Sequence, residues 1–151
     1  MIKLIVSTLC LLLVTLVAST LWEVRPDSFF ASTVFTVAGI MFSIGLGLIV
    51  TFNPAGVKNQ SYLRSIRTNI ARVRNSFLCN FGLTTVYYII NQYVAKYEFK
   101  LTSLWDFSIK FSPSIFLCLL MIYSSIYFII NFIDLQKLNN DIFDVVNKES
   151  E

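Results

Sequence analysis

The chain has no histidine, and of its 151 residues only 14% are charged, with three cysteines, three prolines and five glycines. Each scarcity excludes something. Without histidine, the commonest general acid/base and the commonest metal ligand are missing. Cys10, Cys79 and Cys118 are odd in number, share no C-x-x-C spacing and each lie inside an apolar block. Neither a disulfide framework nor a zinc site is expected from them, and they read as small apolar fillers. A soluble domain carries roughly 25% charged residues, so this chain has too little charge to coat a globule. A Gly-rich phosphate loop, H-E-x-x-H and G-x-S-x-G are also missing. No catalytic, cofactor-binding or metal site is expected, and the protein is not expected to be an enzyme.

What the chain does have is apolar: 56% hydrophobic and 15% aromatic residues, with a mean hydropathy of +0.68. These residues fall into four blocks, free of charge between Lys3 and Glu23, Asp27 and Lys58, Arg74 and Lys96, and Lys110 and Asp134. About 20 apolar residues suffice to cross ~30 Å of hydrocarbon as a helix. A span must also satisfy its own backbone hydrogen bonds in lipid, which makes each block a helix. The expected fold is all-α, one integral membrane four-helix bundle over residues 1–151, with spans at 4–22, 29–52, 77–94 and 111–133. A basic loop (53–76) and an acidic tail (134–151) flank them. The first block also admits a signal peptide, through Lys3 and Val17-Ala18-Ser19. It is long for an h-region and lacks an A-x-A site, so an uncleaved anchor is the expectation.

The ends of the blocks carry capping chemistry. Pro26-Asp27-Ser28 offers a turn and a side-chain cap for the second helix. Asn53-Pro54 disfavours its continuation, and Ser112-Pro113 reads as a cap with proline in the first helical turn. Trp22 and Tyr97 stand where an interfacial aromatic belt is expected. Lysine and arginine set the orientation. Lys3, the loop residues Lys58, Arg64, Arg67, Arg72 and Arg74, and the tail residues Lys137 and Lys148 fall on one side. Only Arg25, Lys96, Lys100 and Lys110 fall on the other. Both termini and the basic loop are therefore expected in the cytoplasm, with the chain in the inner membrane.

The basic loop contains no acid. Leu63, Ile66, Ile70, Val73 and Phe77 recur every three or four residues, which predicts an amphipathic helix from about Ser61 running on into the third span. Lys58, Arg64, Arg67, Arg72 and Arg74 are candidate contacts to lipid phosphates or to a cytosolic protein. Juxtamembrane basic residues gain ~1 kcal/mol each from an anionic leaflet. Nucleic acid is not an expected partner, because no groove-reading fold or aromatic platform accompanies the charge. In the tail, Asp134, Asp141, Asp144, Glu149 and Glu151 outweigh two lysines, and Leu135, Leu138, Ile142 and Val145 repeat the helical spacing. The fourth helix is expected to extend along them and to pack on the basic segment, within one subunit or between neighbours.

Helix 2 carries small residues four apart, Gly39, Ser43 and Gly47, with Gly45 and Ala38 nearby; such grooves admit a second helix closely, inside the subunit or in a homo-oligomer. Asn80, Thr84, Asn91 and Asn131 stand out as polar groups at membrane depth, with Thr85, Gln92, Ser124 and Ser125 beside them. They are expected to face the bundle interior and bond between helices, or else to line a wet cavity. No ionisable residue lies within a span, which argues against a proton pump or voltage sensor.

The layout resembles the small four-span membrane subunits of bacterial anti-phage systems. Ala38-Gly39-Ile40-Met41-Phe42-Ser43-Ile44, then an apolar run, a basic loop, a third span and a short polar tail, is similar to the membrane subunit of the Rex exclusion system. The Kiwa membrane subunit looks similar in layout. The matching residues cover one helix, and the acid-free loop departs from the Rex pattern; no functional residue is carried over. The resemblance implies an oligomeric sensor or effector that permeabilises the membrane or signals to a cytosolic partner. A channel or holin-like protein and a non-catalytic transporter subunit are the competing readings.

Overall fold

The computed structural model describes residues 2–21, 26–51, 59–104 and 107–148. In chain order these form α1 (Ile2–Leu21), α2 (Ser28–Thr51), α3 (Gln60–Val94), β1 (Phe99–Leu104), β2 (Phe107–Phe111) and α4 (Pro113–Lys148). The four helices are those expected. Trp22, Arg25, residues 52–58 with Lys58, and the acids Glu149 and Glu151 lie outside the described residues.

Local chemistry explains the helix starts. Asp27 caps α2: its Oδ1 accepts from Phe30 N at 2.7 Å, while its carbonyl takes Ala31 N. Asn59 caps α3, its Oδ1 accepting from Ser61 N at 3.1 Å and Tyr62 N at 3.3 Å. Each cap satisfies amides that a helix N-terminus leaves without intrahelical partners. At α4 the Ser112 carbonyl accepts from Phe116 N, and Pro113 occupies the first helical position, where a missing N–H costs nothing. The fourth apolar block therefore becomes helical at Pro113 and not at Phe111, which belongs to β2.

The hairpin β1–β2 was not expected. Its register pairs Phe99 with Phe111 and Leu104 with Phe107, with an irregularity between Lys100 and Thr102.

Two of the helices, at Ser28–Thr51 and Pro113–Asp144, are long and apolar enough to cross a membrane. The apolar stretch of α1, Val6–Leu21, is shorter. In α3 the residues Asn80, Thr84, Thr85, Asn91 and Gln92 dilute the apolar content of the third block.

The chain divides into two compact units. Unit 1 comprises residues 1–37 and 83–123. Its core joins Ala31 of α2 to Cys118 and Met121 of α4, with Tyr87 and Tyr88 of α3 against them; Phe35 stacks on Tyr88 at 4.5 Å. Unit 2 comprises residues 38–82 and 124–151. There Ile49, Phe77, Phe128 and Leu135 form one cluster, with Phe77 edge-on to Phe128 at 5.1 Å and Phe42 stacked on Phe81 at 4.2 Å. Ile66 and Ile142, flanked by Leu63, Ile70 and Leu138, form the second. The apolar face expected on 63–77 thus meets Leu135, Leu138 and Ile142 within one subunit; the side chain of Val145 lies outside the described residues. Because Ile66 lies by Ile142 and Phe77 by Phe128, the two segments run antiparallel.

Candidate functional site

Four arginines mark the first candidate surface. Arg64, Arg67, Arg72 and Arg74 lie on the N-terminal part of α3, and all four are exposed. The reason is the seven-residue repeat itself. Ile66, Ile70, Val73 and Phe77 take the inward positions against α4, which leaves the arginines on the flanks and back of the helix. Their side-chain hydrogen bonds are local: Arg72 donates to Asn69 Oδ1 and Arg74 to Asn75 Oδ1, at 3.4 Å. On α4, Asp134, Asp141 and Asp144 are likewise exposed. Contact between the basic and acidic segments is therefore apolar, made by leucine and isoleucine. On this part of α3 the exposed surface carries Arg64, Arg67 and Arg72 among the polar residues Gln60, Ser61, Ser65, Thr68 and Asn69.

The second candidate is the polar interior. Thr84 is 0% and Asn91 2% exposed, whereas Leu9 is 60% and Ile89 51% exposed. Large exposed apolar side chains occur on all four helices, among them Val17, Ile44, Val86 and Ile130. Buried polar ones include Thr15, Ser19, Ser112 and Ser114 in unit 1 and Ser124 and Ser125 in unit 2. A water-soluble fold covers itself mostly with polar groups; here large apolar side chains are exposed on every helix, and among the described residues eight polar ones are buried beside twelve hydrophobic ones.

The remaining polar candidates divide. Asn131 is half-buried and donates to Tyr127 O of its own helix at 2.8 Å, so it does not bond between helices. A cross-helix hydrogen bond is made instead by the Ser76 and Tyr127 hydroxyls, a pair sequence reasoning missed. Asn80 is half-buried on α3 in unit 2. Cys10 and Cys79 are exposed and Cys118 is buried. Among the described residues no group of three His, Cys, Asp or Glu side chains is placed to hold a metal ion.

The small residues of α2 also divide. A Cβ on Gly39 would meet Phe81 at 3.8 Å, an ordinary contact. Ser43 is exposed and donates to Gly39 O, and a Cβ on Gly47 would meet nothing within 4 Å. The close approach is at Gly45, where a Cβ would overlap the Phe77 ring. Ala38, seven residues earlier, is fully buried. The packed stripe is thus Ala38 with Gly45, beside the stripe of Gly39, Ser43 and Gly47.

Finally, α1 is fastened to the hairpin. Ser19 Oγ donates to Lys110 O at 2.5 Å, and Lys110 N donates to Thr20 Oγ1 at 3.3 Å. Two side chains at the end of α1 thereby supply the partners of a backbone position on β2.

No protein-family model, curated protein or solved structure matches the chain.

Proposed function

We propose that this is a multi-pass inner-membrane protein of four crossings with both termini in the cytoplasm. In this reading it is an oligomeric sensor or effector subunit that signals to, or anchors, a cytosolic partner through the arginines of α3. The observation that carries the membrane part is the apolar surface: large apolar side chains are exposed on every helix, while Thr15, Thr84 and Asn91 are inside. Lipid solvates such a surface, whereas water does not. Supporting the signalling part, α3 and α4 have 35 and 36 residues, about 52 and 54 Å at 1.5 Å per residue. That exceeds the ~30 Å of hydrocarbon. The surplus is the Leu63–Phe77 and Leu135–Ile142 pairing, which would hold Arg64, Arg67, Arg72 and Arg74 beyond the headgroups. The likeness of residues 38–44 and of the layout to the Rex and Kiwa membrane subunits is the reason for choosing anti-phage defence as the setting.

Two measurements test this. Impermeant thiol labelling of Arg67→Cys should occur from the cytoplasmic face alone; labelling from the periplasmic face, or recovery of the chain in a detergent-free supernatant, removes the membrane reading. In a bacterial host, the chain should lower plaque numbers on phage challenge, and Arg64, Arg67, Arg72 and Arg74 changed together to Gln should restore them. Equal plaque numbers with and without the chain across a phage panel remove the defence reading. The channel reading draws on the buried Ser, Thr and Asn side chains, and unitary currents from reconstituted protein would favour it.

A further inference from the structure

Asn91 of α3 sits in unit 1 at 2% exposure, and its Oδ1 has no hydrogen-bond partner among the described residues. Ser114 of α4, in the same unit, is 1% exposed. Its Oγ makes no hydrogen bond of normal geometry, and its neighbour is the Cys118 thiol one turn along, a weak donor and acceptor. Both side chains belong to one layer. Cys118 and Met121 of α4 pack with Tyr87 and Tyr88 of α3. Asn91 is one turn from these tyrosines toward the hairpin, and Ser114 is one turn from Cys118 in the same direction. On α1, in the same unit, Thr15 is fully buried and stands one turn behind Ser19, which bonds to Lys110 O of the hairpin. Thr15 Oγ1 donates to Leu11 O, so its lone pairs remain as acceptors. Ser112, also buried, lies at the start of α4 above them.

A buried amide oxygen without a donor costs roughly 1–3 kcal/mol. Proteins commonly remove that penalty with ordered water, which needs two to four polar partners. We propose that unit 1 contains a water-accessible polar pocket beneath the β1–β2 hairpin, in which Asn91, Ser114 and Thr15 bind water. The partners are all uncharged oxygens and amide groups, which suits a neutral hydrogen-bonding ligand. The pocket opens toward the hairpin, where the Ser19 and Ser112 hydroxyls continue the polar lining, and it rests on the membrane reading above.

The test uses the full chain in nanodiscs with Cys10, Cys79 and Cys118 changed to Ala. Single cysteines are introduced as Asn91→Cys, Ser114→Cys and Thr15→Cys, and their reaction with a small cationic methanethiosulfonate is timed. Ile89→Cys and Leu83→Cys, at exposed apolar positions, are the lipid-facing controls, and Arg67→Cys is the aqueous control. The thiolate is the reactive form and apolar surroundings suppress it, so the pocket positions should react at least ~10-fold faster than the lipid-facing ones. Rates at all three pocket positions equal to those at Ile89→Cys and Leu83→Cys overturn the pocket while leaving the membrane reading intact. Fast reaction at Ile89→Cys and Leu83→Cys as well overturns the membrane reading, and the pocket with it. Three independent positions keep the outcome decisive if one variant fails to fold.

Discussion

At the scale of single residues, the sharpest contrast lies between two glycines of α2. Gly45 faces the Phe77 ring, which lies edge-on to Phe128 and Tyr127 and is fully buried. Gly47 faces open space. Gly45→Ala should therefore destabilise the protein by about 1–3 kcal/mol through overpacking, while Gly47→Ala should be close to neutral, as read from thermal unfolding in nanodiscs. Equal losses at the two positions would contradict the packing of α2 on α3. A second prediction concerns the α1 latch. Thr20→Val removes the acceptor for Lys110 N. With a net worth of about 0.5–1.5 kcal/mol for such a bond, Lys110 amide exchange should quicken by roughly 2- to 10-fold. Unchanged exchange would mean that the hairpin holds without α1. Small residues on α2 were legible in the sequence as a packing signal. Which of them meets a neighbour was not, because stripes one residue apart on a helix point about 100° apart, and the positions of Phe77 and Phe81 choose between them.

At the scale of elements, the paired ends of α3 and α4 were readable in advance. Intervals of three and four in Leu63, Ile66, Ile70, Val73 and Phe77 leave little choice of inward face, and Leu135, Leu138 and Ile142 offer the complement. Ile66→Ala and Ile142→Ala should each cost about 2 kcal/mol or more, and together less than the sum, since the two side chains share one cluster. Strict additivity in a double-mutant cycle would show that they do not touch. The hairpin had a weaker signal. Phe107-Ser108-Ile109-Lys110-Phe111 alternates apolar and polar residues, the strand period, but counting its charges as a loop hid it. A two-stranded hairpin is marginal alone; the Ser19 and Thr20 hydroxyls that engage Lys110 come from a segment some ninety residues away, and no local pattern announces them.

At the scale of the molecule, the exposed arginines predict a salt-sensitive interaction surface. Ionic screening shortens from about 10 Å at 0.1 M salt to about 3 Å at 1 M. Binding to vesicles with anionic headgroups, or to an acidic cytosolic protein, should weaken across that range and in the variant with Arg64, Arg67, Arg72 and Arg74 changed to Gln. Salt-independent binding would assign the surface to apolar contacts. Assembly is measured directly: the proposed oligomer should give a mass in nanodiscs at a multiple of 17.3 kDa above one, and a strict monomer would remove the oligomeric sensor.

Four helices, the starts of α2 at Asp27 and of α4 at Ser112-Pro113, and the acid-free arginine segment follow from composition and periodicity, because helix formation and burial of one face are local properties of the chain. Contacts between distant segments decided the rest. Gly45 under Phe77, Asn131 turned back on its own helix, the hairpin edge held by Ser19 and Thr20, and the Asn91 oxygen without a partner among the described residues each depend on which side chain arrives opposite. That is set by how helices stack and not by any residue's own preference.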